Sequence, residues 1–201
     1  MLRITDLQVK LPRIVQHPDR LTANKLDIHT NLVMVAPAKG AAITSLPYGD
    51  VIAARLKRAD HKPDSADPFA TVLPNRAGTE VTLAGVAEDI SHFDLLTLAR
   101  RLIAPHTGNE LAIAATGLSP ALTARACEAL VAATAARAAL PNLKSKRENK
   151  KGIATLHIYG YRQADGYART LAEAQGNHLA RALTVLPPNT LTPAVYRKLA
   201  L

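Results

Sequence analysis

Seven histidines, one cysteine and a run of lysines and arginines are the side chains of this 201-residue sequence with the widest chemical reach. The histidines are His17, His29, His61, His92, His106, His157 and His178, and none falls in the His-x-His or His-Glu-x-x-His spacing that sets two imidazoles on one metal ion. They read as structural residues: His157 lies in a predicted strand and His178 in a predicted helix, where a hydrogen-bonded ring is expected. Cys127 is alone, which excludes an internal disulfide framework, and its alanine-rich helical surroundings make it a small buried apolar residue. The Gly-x-Ser-x-Gly elbow and the phosphate-cradling Gly-x-x-x-x-Gly-Lys-Ser/Thr loop are absent, and Gly85 lacks the later glycines of a dinucleotide fingerprint. Asp64, Asp67, Glu88 and Asp89 have the chemistry of acids and bases, but carboxylates in polar loops are ordinary solvated surface, and Asp94 is better explained as part of a helix cap. No catalytic, metal-ligating or cofactor-binding residue is therefore assigned.

The remaining chemistry is electrostatic. The formal net charge is +9, and much of it is concentrated in Lys144, Lys146, Arg147, Lys150 and Lys151, a polar run between two apolar segments. Such a run is a solvated loop, or a salt-sensitive contact to the phosphates of a nucleic acid. Base stacking beside it needs exposed rings, and of the tyrosines that follow, Tyr159 and Tyr161 are expected to finish a strand instead.

These side chains have to be positioned by an ordinary soluble fold, because 48% of the residues are apolar and 20% charged. With no tryptophan and few aromatics, the core falls to Leu, Ile, Val and Ala. Five short apolar runs predict strands: 32–36, 70–73, 81–86, 111–115 and 153–158. Between them, Asp50 is expected to cap a helix through Arg58. Ser91 with Asp94 resembles a capping box for a helix to Ile103, with Leu95, Leu98, Ala99 and Leu102 on one face. Ser119-Pro120 opens the long alanine-rich helix. From Asp165 to Leu186 a further helix carries a stripe of Ala168, Leu171, Ala172, Leu179, Ala182, Leu183 and Leu186. Alternating strands and helices predict an α/β fold: a mixed, mostly parallel sheet flanked by helices on both faces, followed by a long connecting helix. The first thirty residues and the stretch 59–67 carry little periodic signal. The start has no apolar run of signal-peptide length, no segment is expected to span a membrane, and reduced cysteine usage fits a cytoplasmic protein.

One segment is specific. Asn177-His178-Leu179-Ala180-Arg181-Ala182-Leu183 runs into Pro187-Pro188-Asn189-Thr190-Leu191-Thr192-Pro193. It resembles the interdomain junction of the leucyl aminopeptidase (cytosol aminopeptidase) family, Asn-x-x-Ala-Arg-x-Leu followed by Pro-Pro-Asn-x-Leu-Thr-Pro. Local chemistry agrees: the double proline stops a helix, Asn189 suits a turn, and Thr192-Pro193 caps a new helix. The order of elements over 31–161 is similar to the family's as well. Ala182, Val185 and Leu186 depart from the acidic and polar residues usual there.

The resemblance implies that residues 1–164 are an amino-terminal, macro-domain-like α/β domain, 165–186 an interdomain helix, and 187–201 the cut-off start of a catalytic domain. It implies a parent hexamer that releases amino-terminal residues from peptides with two divalent ions, zinc or manganese, held by the second domain. The family's Asn-Thr-Asp-Ala-Glu-Gly-Arg motif does not occur here, so the chain is expected to be inactive alone, without a cofactor of its own, and to serve oligomer assembly and substrate access. The rival reading is a binding module, since some bacterial relatives bind DNA and macro-like folds accommodate ADP-ribose.

Overall fold

Segments rich in Leu, Val, Ile and Ala on both sides of the chain have no polar face to turn toward water, so they lie inside a sheet covered twice. The computed structural model describes residues 3–38, 43–44, 46–62, 67–139 and 152–200. Its strands are β1 (Arg13–His17), β2 (Asn31–Pro37), β3 (Phe69–Val72), β4 (Glu80–Val86), β5 (Glu110–Ala115) and β6 (Thr155–Tyr159). Side by side they run β1-β6-β5-β2-β4-β3. Every neighbouring pair is parallel except β3 with β4, so the sheet is mixed and mostly parallel, as expected. The helices are α1 (Ala23–Leu26), α2 (Gly49–Arg58), α3 (His92–Ile103), α4 (Pro120–Ala136), α5 (Ala168–Val185) and α6 (Pro193–Ala200).

Strand residues alternate between two cores. Val33, Val35, Ile113, Leu156 and Ile158 face α3 and α4, meeting Leu98, Leu102, Ala126 and Leu130. Leu32, Met34, Leu83, Ala112 and Tyr159 face the other way, toward Leu26 of α1 and Ile52 and Leu56 of α2. Cys127 is fully buried in the first core, and burial pushes its thiol up to about 12, so it behaves as the apolar residue expected of it.

The caps follow their sequence signals. The Ser91 hydroxyl accepts from the Asp94 amide, Ser119 from Leu122, and Thr192 from Val195. Asp50 does not cap α2. That helix starts at Gly49 behind a left-handed Tyr48, and Asp50 is exposed within the first turn. The reason is a close approach: a Cβ on Gly49 would run into the backbone of Ile43 and Thr44, so glycine fixes where the helix begins.

α5 begins at Ala168, after a turn in which the Asp165 carboxylate accepts from the Tyr167 amide. Its buried row is Thr170, Ala174, His178 and Ala182, while Ala168 and Ala172 are exposed. The expected stripe is thus rotated, because α5 packs on α4 through polar anchors. His178 Nε2 donates to the Ala135 carbonyl at 2.8 Å, and the Thr170 hydroxyl reaches Glu128. Gly176 lies on the solvent side of this helix with nothing near the position of a Cβ. Gly176→Ala is expected to raise the unfolding free energy by roughly 0.5–1 kcal/mol, read from the urea midpoint at unchanged slope.

A third, smaller core ties the beginning of the chain to its end. Leu7, in the 3-10 turn Ile4–Leu7, packs with Ala182 and Leu186, and Leu191 and Leu199 close over it. Helix, break and helix at 168–200 thus follow the proline and threonine signals. No helix among the described residues is long and apolar enough to cross a membrane.

Candidate functional site

The strand order does what sequence spacing alone does not reveal. β1 lies beside β6 with His17 opposite Tyr159, and β5 lies on the other side of β6 with Ala112 opposite His157. By strand alternation His17, His157, Tyr159 and Glu110 project from one face, and the turn between α1 and β2 brings His29 onto the same group. His17 Nε2 and His157 Nδ1 are 3.1 Å apart, and His29 Nε2 is 2.8 Å from the Tyr159 hydroxyl. The rings of His17 and Tyr159 stack with centroids 4.3 Å apart. Across the group, His157 Nε2 stands 4.0 Å from a Glu110 carboxylate oxygen.

Burial grades the group from inside to outside. His29 is 3% exposed, and its carbonyl accepts from the buried Thr79 hydroxyl at 2.6 Å, which fixes the turn. Its Nδ1 is buried without a hydrogen-bond partner. The His157 side chain is 17% exposed and Glu110 55%, so the group opens to solvent on the Glu110 side. Burial, reinforced by the neighbouring His157, lowers the His29 pKa to about 4, and burial also lowers those of His17 and His157. At neutral pH the three rings are therefore uncharged, and each has one protonated nitrogen and one that holds a lone pair.

A second buried polar group lies near the same strand ends but on the other face of the sheet, toward α3. His106 Nδ1 lies 3.0 Å from Asn31 Oδ1 and Nε2 lies 2.9 Å from the Thr82 hydroxyl, which also bonds the Leu102 carbonyl. Arg137 donates to the carbonyls of Ile103 and His106, closing the end of α3. Both ring nitrogens of His106 are occupied, so this is a brace rather than a reactive centre.

The residues singled out by sequence are dispersed. Lys144, Lys146, Arg147, Lys150 and Lys151 lie outside the described residues, as does Asp64. Asp67 pairs with Arg101, Glu88 accepts from the Ser119 hydroxyl, and Asp89 is exposed. Tyr159 is buried at the end of β6 and Tyr167 behind the start of α5, so neither offers a face for base stacking. A cleft of about 150 Å³ at the carboxyl ends of β5 and β6 is lined by Arg20, Thr116, Gly117 and Gly160, in the position where α/β sheets commonly take ligands. It is smaller than the roughly 300 Å³ at which ligand pockets begin.

No family model matches this chain, and no curated protein does. Solved structures do. A mutant of tomato leucine aminopeptidase superposes with a TM-score of 0.67 at 18% identity, covering 94% of this chain and 42% of its own. Leucyl aminopeptidase from Trypanosoma brucei gives 0.59 at 17%, covering 94% of this chain and 41% of its own. The Trypanosoma cruzi enzyme gives 0.60 at 14%, covering 98% and 41%. The likeness establishes a shared fold, and the chain spans about two fifths of the length of these structures.

Proposed function

We propose that this chain is the non-catalytic amino-terminal domain of a leucyl-aminopeptidase-type metallo-exopeptidase. Residues 1–164 form its α/β body, 165–186 the interdomain helix and 187–201 the first turns of the next domain. The observation that carries this reading is the coincidence of two independent signals. The fold matches leucyl aminopeptidases over nearly all of this chain but two fifths of theirs, and the Pro187-Pro188 break falls at its far end.

The surface at that end supports the reading. Val185 is 63% exposed and Tyr196 53%, at the end of α5 and on α6, where a following domain would cover them. In the parent enzyme two divalent ions, zinc or manganese, would activate water and polarise the scissile carbonyl of a peptide's first bond. Those ions belong to the second domain. Among the described residues the metal-type donors that come together are two histidines and one carboxylate, too few for two ions, so no catalytic step is assigned here. The role left to this domain is to shape contacts within a cytoplasmic homo-oligomer, a hexamer, and the approach of peptides to it.

The test is hydrolysis of leucyl p-nitroanilide with manganese or zinc, using this chain and the same reading frame continued past Leu201. Turnover is expected only from the continued chain. Metal-dependent turnover by residues 1–201 that survives repurification overturns the proposal, and so does a continued chain that remains inactive.

A further inference from the structure

We propose that His29, His157 and Glu110 form a binding site for one zinc-class divalent ion, with His17 and Tyr159 as positioning residues. One nitrogen of each of the two histidines and a Glu110 carboxylate oxygen lie within 4.8 Å of one another. Donors around a tetrahedral ion at zinc's usual bond lengths are about 3.3 Å apart, so closure needs movements of about an ångström. Glu110 can supply them, being more than half exposed at the first position of β5.

The hydrogen bonds around the group leave the right atoms free. A metal-bound imidazole usually has its second nitrogen held by a polar partner, which sets the tautomer and aims the ring. Both rings have that partner. His157 Nδ1 is 3.1 Å from His17 Nε2; in the tautomer where Nδ1–H donates to His17, the Nε2 lone pair faces Glu110 across a 4.0 Å gap too long for a hydrogen bond. His29 Nε2 is 2.8 Å from the Tyr159 hydroxyl and Nδ1 is buried with no protein partner; in the tautomer where Nε2–H donates to that hydroxyl, Nδ1 is a free lone pair. A buried polar atom without a partner is costly, and an ion is one thing that removes the cost.

Two imidazoles and a carboxylate suit zinc and cobalt better than calcium or magnesium, which prefer an all-oxygen shell. Three protein ligands leave a fourth position for water on the solvent side. The bound ion would staple the turn before β2 to β5 and β6. The electrostatic setting is mixed: Glu110 favours a cation, while Lys25 lies 5.9 Å from the Tyr159 ring centroid and opposes one. The site is built from this chain's residues alone and stands or falls separately from the aminopeptidase reading.

The experiment is a titration of chelator-treated chain 1–201 with Co²⁺, followed by displacement with Zn²⁺. One equivalent of Co²⁺ is expected to give the visible d–d absorption of a four-coordinate site, and Zn²⁺ should abolish it. Glu110→Gln and His157→Gln should each weaken Zn²⁺ binding by more than tenfold, and His17→Asn by about tenfold as a positioning residue. His61→Gln and His92→Gln should leave binding unchanged. If His157→Gln fails to fold, Glu110→Gln decides, because its side chain is largely in solvent. Absence of a stoichiometric Co²⁺ spectrum, or unchanged affinity in Glu110→Gln, overturns the site.

Discussion

Lowering the pH from 6.5 to 4 is expected to remove on the order of 2–3 kcal/mol of folding stability through His106 alone. Burial first, and the Arg137 charge second, lower its pKa to about 4 in the folded chain, against 6.5 for an ordinary imidazole. Between those values the unfolded chain holds the proton and the folded chain does not, so stability falls as pH falls. Above pH 6.5 the contribution is complete, and below about 4 this group causes no further loss. The test is urea unfolding at several pH values for the wild-type chain and His106→Gln. The variant should be less stable at pH 7, where it loses the bonds to Asn31 and Thr82, but its stability should fall less steeply between pH 6.5 and 4. Equal slopes for the two proteins would mean that His106 is not held neutral by the fold.

A second large effect is expected at the centre of the sheet. Ile113 on β5 is fully buried, opposite Val33 on β2 and Ile158 on β6, under α3 and α4. Ile113→Ala removes three carbons from a site closed on all sides and should cost about 2–5 kcal/mol, whereas Ile113→Val should cost about 0.5–1.5 kcal/mol. Val72→Ala, at a half-exposed position on the edge strand β3, should change stability by less than about 0.5 kcal/mol. Denaturant midpoints for the three variants check the ordering. Comparable losses at positions 113 and 72 would contradict the placement of the core.

How much of this was legible in the sequence depended on whether the determining contacts were local. β2, β4 and β5 announce themselves because both their faces are covered and their residues are almost all apolar. Helix starts at Ser91, Ser119 and Thr192 are equally plain, since a cap needs residues only three places apart. β1 carries no such signal. It is an edge strand of Arg13, Ile14, Val15, Gln16 and His17, none fully buried, and its pairing with β6 joins residues some 140 positions apart. The same separation hid the histidine group: motif spacing searches a few residues, whereas His17 meets His157 through the pairing of β1 with β6, and His29 reaches His157 from the turn before β2. On α5 the polar Thr170 and His178 occupy the packing row, so a reading based on apolar spacing was bound to rotate the helix. The start of α2 was misplaced for a third reason, a backbone-to-backbone approach at Gly49 that no side-chain pattern encodes.

The contact of Leu7 with Ala182 and Leu186 has a mechanical consequence. Tension applied along α5 from its carboxyl end would not peel that helix off α4 alone; it would also have to slide it past the opening turn of the chain. Entry and exit of the polypeptide are therefore coupled at one corner, where a load arriving from beyond Pro187 is shared with residues near the first. Trimming the opening turn should loosen the last long helix before it disturbs the sheet.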